Sequence, residues 1–260
     1  MSEWIRLERV SNARDLGGMT GADGRRSRPG RLIRSGHLAE ATEADVEWLR
    51  ARVSAVVDLR TTMERTQQPD RVWDGGEHID LPILEALTPG VTHETDAEEA
   101  LRSMLEVDEN EAAAYMQATY RRLAGDETAQ RQFARLIDLM LEPRKGALLW
   151  HCTAGKDRAG FAAAIIETLL GVSEADVRAD YLYTNVCNKG QVDRLVAMFA
   201  KPGERGGEAA LRRMFGADET YLDALMDTAC RLCGSFDRYL TEALGATEEK
   251  RQALRALYLE

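Results

Sequence analysis

Four cysteines in 260 residues, irregularly spaced, are too few to staple a secreted scaffold. A basic excess is missing too. Lys and Arg number 34 against 44 Asp and Glu, a formal charge of −10, which argues against a general nucleic-acid binder. The opening MSEWIRLERV is charged and has no apolar stretch, so no cleaved signal is expected. Long apolar runs are lacking: the stretch Ala159–Ile166 stops at Glu167, far short of the roughly 18–20 residues that span a bilayer. Internal repeats and low-complexity tracts are also absent. A reducing, cytoplasmic setting is the expectation, with export by a route that uses no cleaved signal left open. What is present is an ordinary globular composition, 44% apolar and 30% charged. It suits one large α/β domain or two small ones at roughly 150 residues per domain.

Charge is uneven along the chain. Between Glu94 and Glu111 eight acids face one base, Arg102, so this segment carries −7 of the −10 and reads as a solvated loop or surface helix. Between Arg25 and Arg34 the five arginines (25, 26, 28, 31 and 34) meet no acid and read as a solvated loop, with contact to anionic lipid or substrate as the other reading. Residues 4–10 and 31–34 have the pattern of short strands, separated by a glycine-rich loop. Thr42 with Asp45 forms a capping-box pattern that opens a helix to Arg50. Val53–Leu59, His78–Leu84 and Ala147–Trp150 are short apolar runs of buried-strand type. Residues 111–142 are helical in composition with a break at Gly125-Asp126, and Arg158–Leu170 is a strongly apolar helix. Ser173 starts another helix, and the remainder is helical apart from Pro202–Gly207. Alternating strands and helices predict an α/β fold with a largely parallel central sheet flanked by helices. Residues 1–260 then form a single domain whose last 90 residues add a C-terminal helical layer or lid.

The segment with chemistry is Trp150-His-Cys-Thr-Ala-Gly-Lys-Asp-Arg-Ala-Gly160. A buried strand ends in His151-Cys152, an Arg follows at 158, and an apolar helix begins. This is a site for a dianion. Amides of a tight loop, with Gly155 permitting unusual backbone angles, form a nest above a helix N-terminus whose dipole favours negative charge. Arg158 supplies a planar fork for two phosphate oxygens. A free thiol is only a few per cent thiolate at neutral pH. The positive loop favours the thiolate of Cys152, which can attack phosphorus and divide hydrolysis into two easier steps.

Cys-x5-Arg between strand and helix resembles the protein tyrosine phosphatase signature, and HCTAGKDRAG is similar to the bacterial PtpB-like phosphatases. Asn12-Ala-Arg-Asp-Leu-Gly-Gly18, Arg34-Ser-Gly-His37 and Val57-Asp-Leu-Arg60 follow that family's order, so the resemblance covers about residues 8–185. It implies Cys152 as nucleophile, Arg158 as phosphate clamp and Asp157 as general acid, with no metal or other cofactor. Thr153, Ala154, Gly155 and Lys156 would line the phosphate site, and Asp58 and Arg60 would lie beside it. Lys156 would add a second cation, as in phosphatases that tolerate inositol lipids. Substrates would be phosphotyrosine, with phosphoserine and phosphothreonine, or phosphoinositides, and phosphate or vanadate would occupy the loop. No Trp-Pro-Asp acid loop is found; Trp73-Asp74 and Asp126 are only positional rivals. Most relatives have Thr or Ser where this chain has Ala159. The missing hydroxyl predicts slower turnover of a phosphocysteine, and a turnover-deficient phosphate-binding module is the rival from another class. His151 reads as a structural residue, and Cys187 and the Cys230/Cys233 pair read as packing. Protection of Cys152 by a disulfide with one of these is the other reading.

Overall fold

The computed structural model describes residues 2–85, 107–199 and 207–260. Its centre is built from the most apolar runs. Val53–Asp58 forms β4, and Ala147–His151 forms β6, buried along its whole length as expected of a strand covered on both faces. Together with β1 (Glu3–Trp4), β2 (Arg14–Asp15), β3 (Leu32–Ser35) and β5 (Glu77–Asp80) they make a six-stranded mixed sheet in the order β1-β2-β3-β6-β4-β5. The strands β3, β6, β4 and β5 run parallel, while β1 and β2 form an antiparallel edge. In the register Ser35 stands beside His151 and Asp58 also stands beside His151. Three strand ends thus meet on one edge of the sheet, where ligand crevices of parallel sheets form.

Eleven α-helices flank the sheet among the described residues. α1 (Glu43–Arg50) opens on the anticipated Thr42–Asp45 capping box. α2 (Thr62–Gln67) opens on a second box, Thr61–Glu64, and was not anticipated. α3 (Glu109–Gly125) and α4 (Glu127–Leu141) are divided at Asp126, whose side chain accepts from the Ala129 amide at 2.8 Å. That cap accounts for Asp126 and removes it as a rival acid. α5 (Arg158–Leu169) carries no polar face and is almost wholly buried against the sheet. α6 (Glu174–Cys187), α7 (Lys189–Phe199), α8 (Gly207–Phe215), α9 (Glu219–Cys233), α10 (Phe236–Glu242) and α11 (Glu248–Tyr258) complete the chain. No described helix is long and apolar enough to cross a membrane.

Several boundaries differ from the sequence reading. The strand expected over 4–10 shrinks to Glu3–Trp4, because the Glu8 and Arg9 amides turn aside to the Asp45 carboxylate at 2.7 and 2.9 Å. The strand expected over His78–Leu84 ends at Asp80, and Leu84 takes a left-handed conformation with φ 59°. Arg34, placed by the sequence in a solvated cluster, is fully buried, whereas Arg26 and Arg28 are exposed. Most of the acidic stretch and nearly all of Pro202–Gly207 lie outside the described residues.

Candidate active site

The segment Cys152–Asp157 turns from the end of β6 into α5. Gly155 has φ 66°, and a Cβ there would fall 2.6 Å from the carbonyl carbon and oxygen of Ser35, so any side chain would push the loop off β3. The loop is held by its carbonyls. The His37 amide donates to Thr153 O at 3.1 Å, and Asn188 Nδ2 donates to Ala154 O at 2.8 Å. Asn12 Nδ2 and Arg34 Nη2 donate to Gly155 O at 2.9 and 2.8 Å. The amides of Thr153, Ala154, Gly155 and Lys156 have no protein acceptor among the described residues. Because buried amides are nearly always paired, a row of unpaired donors behind a buried cysteine is a built anion cradle. Cys152 itself is 2% exposed.

Arg158 is fully buried and bidentate to Glu64 of α2, Nη1 to Oε2 at 2.7 Å and Nη2 to Oε1 at 2.8 Å. Glu64 Oε1 also accepts from Thr153 Oγ1, and Glu64 Oε2 accepts from the Thr61 amide at 2.8 Å. Burial alone would raise the Glu64 pKa, but the charge and hydrogen bonds of Arg158 outweigh it and hold the carboxyl far below the ordinary range. Burial likewise works against the Arg158 charge, and Glu64, then Cys152 and Asp157, more than offset it, so its pKa rises. One carboxylate therefore fixes the fork, the loop threonine and the start of α2.

Asp157 is 4% exposed. Its Oδ1 accepts from Tyr120 Oη at 2.6 Å and lies 3.3 Å from Lys156 Nζ, while Oδ2 has no protein partner among the described residues. Tyr120 in turn meets Tyr181 Oη at 2.8 Å, and burial first, then the Asp157 charge, keeps the Tyr120 phenol well above its ordinary pKa. One oxygen of Asp157 is anchored and the other is left open among the described residues.

A family model described as "Tyrosine phosphatase family" matches residues 5–260. The chain belongs to the tyrosine phosphatase family. A Cupriavidus necator protein assigned by name to the tyrosine-protein phosphatases is 34% identical over 241 residues, covering 92% of this chain and 84% of the relative. The triple specificity protein phosphatase PtpB of Mycobacterium tuberculosis is 33% identical over 173 residues, 61% of this chain and 62% of its own. A tyrosine-protein phosphatase of Nostoc commune is 27% identical over 217 residues, 75% of this chain and 69% of its own.

Not every site residue of the phosphatase stands where the sequence suggested. Lys156 is 1% exposed, and its ammonium donates to Met214 O near the end of α8, so its side chain ties the loop to the late helices. Asp58 and Arg60 do sit at the end of β4 beside the loop, but they bond each other. Arg60 Nη2 lies 2.7 Å from Asp58 Oδ2 and 2.9 Å from Asp70 Oδ1. His151 Nε2 stands 2.8 Å from Asp70 Oδ2. Burial would lower the His151 pKa, yet Asp70 and then Asp58 raise it. Asp58, Asp70 and His151 offer oxygen and nitrogen atoms within 4.8 Å of one another. The Arg60 guanidinium already lies on both carboxylates and His151 lies on Asp70, so the atoms a metal ion would need already face one another. Asp58, Arg60 and Asp70 line an opening of about 220 Å³ with Arg65, His78 and Asp80, and none of the three lines the cleft at Thr153 and Ala154.

A second buried network grips the loop through Arg34. Arg34 Nη1 pairs with Asp180 Oδ2 at 3.0 Å, Arg14 Nη1 donates to Asp180 O at 2.6 Å, and both guanidiniums are wholly buried. Burial, then the Arg34 charge, lowers the Arg14 pKa to about 10. Glu167 is enclosed beside them, and burial followed by the Asp180 charge pushes its pKa well above the carboxylate range. A cleft of about 190 Å³ opens over Thr153 and Ala154 and is roofed by Gln191, Val192 and Leu195 of α7 with Phe215 of α8. All four cysteines are free thiols; Cys230 is exposed, so it is not the packing residue the sequence suggested. Trp73 is buried edge-on against His78 at 5.1 Å.

Sequence reasoning missed Glu64, Tyr120, Asp70 and Asn188. Glu64 had a readable signal, the Thr61-x-x-Glu64 cap; the other three come from distant elements and carry none.

Proposed function

We propose that this tyrosine phosphatase works through a phosphocysteine intermediate on Cys152, with Arg158 and the loop amides binding the phosphoryl oxygens and Asp157 as the acid. The observation that carries the reading is the loop whose carbonyls are tied to other elements while the amides of residues 153–156 have no protein acceptor among the described residues. In the first step the Cys152 thiolate attacks phosphorus, the bond to the ester oxygen breaks, and Asp157 Oδ2 protonates that leaving oxygen. In the second step water attacks the phosphocysteine and gives a proton back to Asp157, freeing inorganic phosphate and the thiolate. Charge that develops on the equatorial oxygens meets preorganised donors in a dry site, where each is worth about 2.7–4 kcal/mol.

The substrate is a phosphorylated protein residue, phosphotyrosine first and phosphoserine or phosphothreonine with it. A reading toward phosphoinositides draws no support from Lys156, whose ammonium is committed to Met214. The chain is read as a single domain in which residues 186–230 act as a lid over the loop, supported by the roof that α7 and the end of α8 form. A cytoplasmic setting suits four unpaired thiols, one of them the nucleophile.

Hydrolysis of p-nitrophenyl phosphate, inhibited by vanadate and lost in Cys152→Ser, is the expected result. Acid-quenched enzyme should carry phosphate on Cys152. Hydrolysis that survives Cys152→Ser at more than about 1% would overturn the mechanism.

A further inference from the structure

Beside the cleft over the phosphate loop lies a larger groove of about 530 Å³, walled by the segment Trp4–Asn12 on one side and by Val186–Arg194 on the other. The two openings adjoin, because Glu40 and Gln191 line both. Four cations line the groove: Arg6, Arg9, Lys189 and Arg194. Its two acids are in part spoken for. Glu8 accepts from Thr42 Oγ1 at 2.7 Å, and Glu40 stands 3.9 Å from Arg9 in a solvent-open pair. Arg6 rests over the Trp4 ring at 4.5 Å and has no acid partner among the described residues; neither has Arg194. On a chain of net charge −10, a groove with more cations than acids next to the cleft at Thr153 and Ala154 is a local reversal of the overall field.

Resting on the phosphatase reading above, we propose that this groove binds the peptide chain flanking the phosphoresidue, and that it selects acidic side chains there. An extended peptide advances about 3.3 Å per residue with alternating faces. A phosphoresidue seated in the loop would therefore lay its neighbours along the adjoining groove, with every second side chain directed at one wall. Trp4, Leu7 and the half-exposed Val186 supply apolar contact for the peptide stem, while Arg6, Arg9 and Arg194 meet the carboxylates. A concave groove with its apolar residues inside fits a strand of peptide. An anionic bilayer would meet protruding apolar residues and would be repelled by the net charge.

The test uses two phosphotyrosine peptides, identical except that Asp or Ala occupies the three positions on each side of the phosphotyrosine. Fluorescence anisotropy with Cys152→Ser protein reads binding without turnover. The Asp peptide should bind about fivefold to tenfold tighter, as expected of two or three half-exposed ion pairs, and the advantage should shrink as salt rises. Arg6→Gln/Arg9→Gln/Arg194→Gln should reduce the ratio to below twofold. Gly190→Glu should do the same, since a Cβ at Gly190 meets only Arg194 Nη1, at 3.9 Å, and a helical glycine is replaced by a better helix former. In the Cys152 background both variants should hydrolyse p-nitrophenyl phosphate within twofold of the parent. Equal binding of the two peptides overturns the proposal, as does a preference that survives both variants. Binding to anionic phospholipid vesicles that falls in both variants while the peptide ratio stays unchanged also overturns it, in favour of a membrane surface. Failure of the parent to hydrolyse p-nitrophenyl phosphate counts against the mechanism and leaves the peptide comparison to decide the groove.

Discussion

Glu64 offers the sharpest test of how the cradle is held. In Glu64→Ala the wholly buried Arg158 loses both carboxylate bonds, at 2.7 and 2.8 Å, and no water can replace them easily at 0% exposure. Removing one partner of a buried pair costs about 3–5 kcal/mol. The lost bond to the Thr61 amide removes a helix cap worth about 1 kcal/mol more. At roughly 2 °C per kcal/mol for a chain of this size, the midpoint of thermal unfolding should fall by about 8–12 °C. A guanidinium free to shift by about 1 Å should lower kcat/KM on p-nitrophenyl phosphate about a hundredfold. Glu64→Gln separates the contributions, because glutamine still serves a capping box but carries no charge. It should recover the cap's share of stability and little of the activity. Scanning calorimetry and steady-state kinetics on the same preparations provide the check. A Glu64→Ala protein that loses less than 2 °C and keeps kcat/KM within threefold would falsify the account of Arg158.

Three further outcomes follow from buried titrating groups and from Ala159. His151 has a raised pKa and Asp70 a lowered one, so the pair stabilises the fold most between about pH 4 and 6.5, and stability drains away above that as His151 loses its proton and below it as Asp70 gains one. His151→Gln should flatten the alkaline limb of a melting-temperature profile; an unchanged limb refutes the assignment. Glu167, with a raised pKa, favours folding less as pH rises past about 4.3, so Glu167→Gln should raise the melting temperature at pH 8 and leave it unchanged at pH 4. An equal change at both pH values would show that ionisation is not involved. Ala159→Ser should speed phosphocysteine breakdown about 10- to 100-fold, read as a smaller presteady-state burst with faster turnover; unchanged turnover refutes the role given to the missing hydroxyl.

How much of this was readable beforehand depends on range. Thr42 and Ser173 announce helix starts, and both side chains accept the predicted amide bonds, because caps act over three residues. β4 and β6 declare themselves as apolar runs since both faces are covered. The loop is legible for the same local reason: strand, cysteine, glycine, arginine and helix lie within eleven consecutive residues. Lys156 was placed at the ligand by the resemblance and Arg60 by its position at a strand end, and neither ground says which partner a side chain meets first. Met214 and Asp70 claim them, and neither is visible from the loop's own sequence. Arg34 was misplaced in a solvated cluster because its partner Asp180 lies 146 residues away.

The carbonyl anchors of the loop also bear on how the molecule folds. Gly155 O is held by Asn12 and Arg34 across 143 and 121 residues of chain, and Ala154 O is held by Asn188 from the far side. Contacts of such long sequence separation close late, after local helices have formed, since loop entropy must be lost before they stabilise anything. Activity should therefore return last during refolding, behind the recovery of helical circular dichroism. A fragment ending before Asn188 could gain most of the sheet and still hold no phosphate.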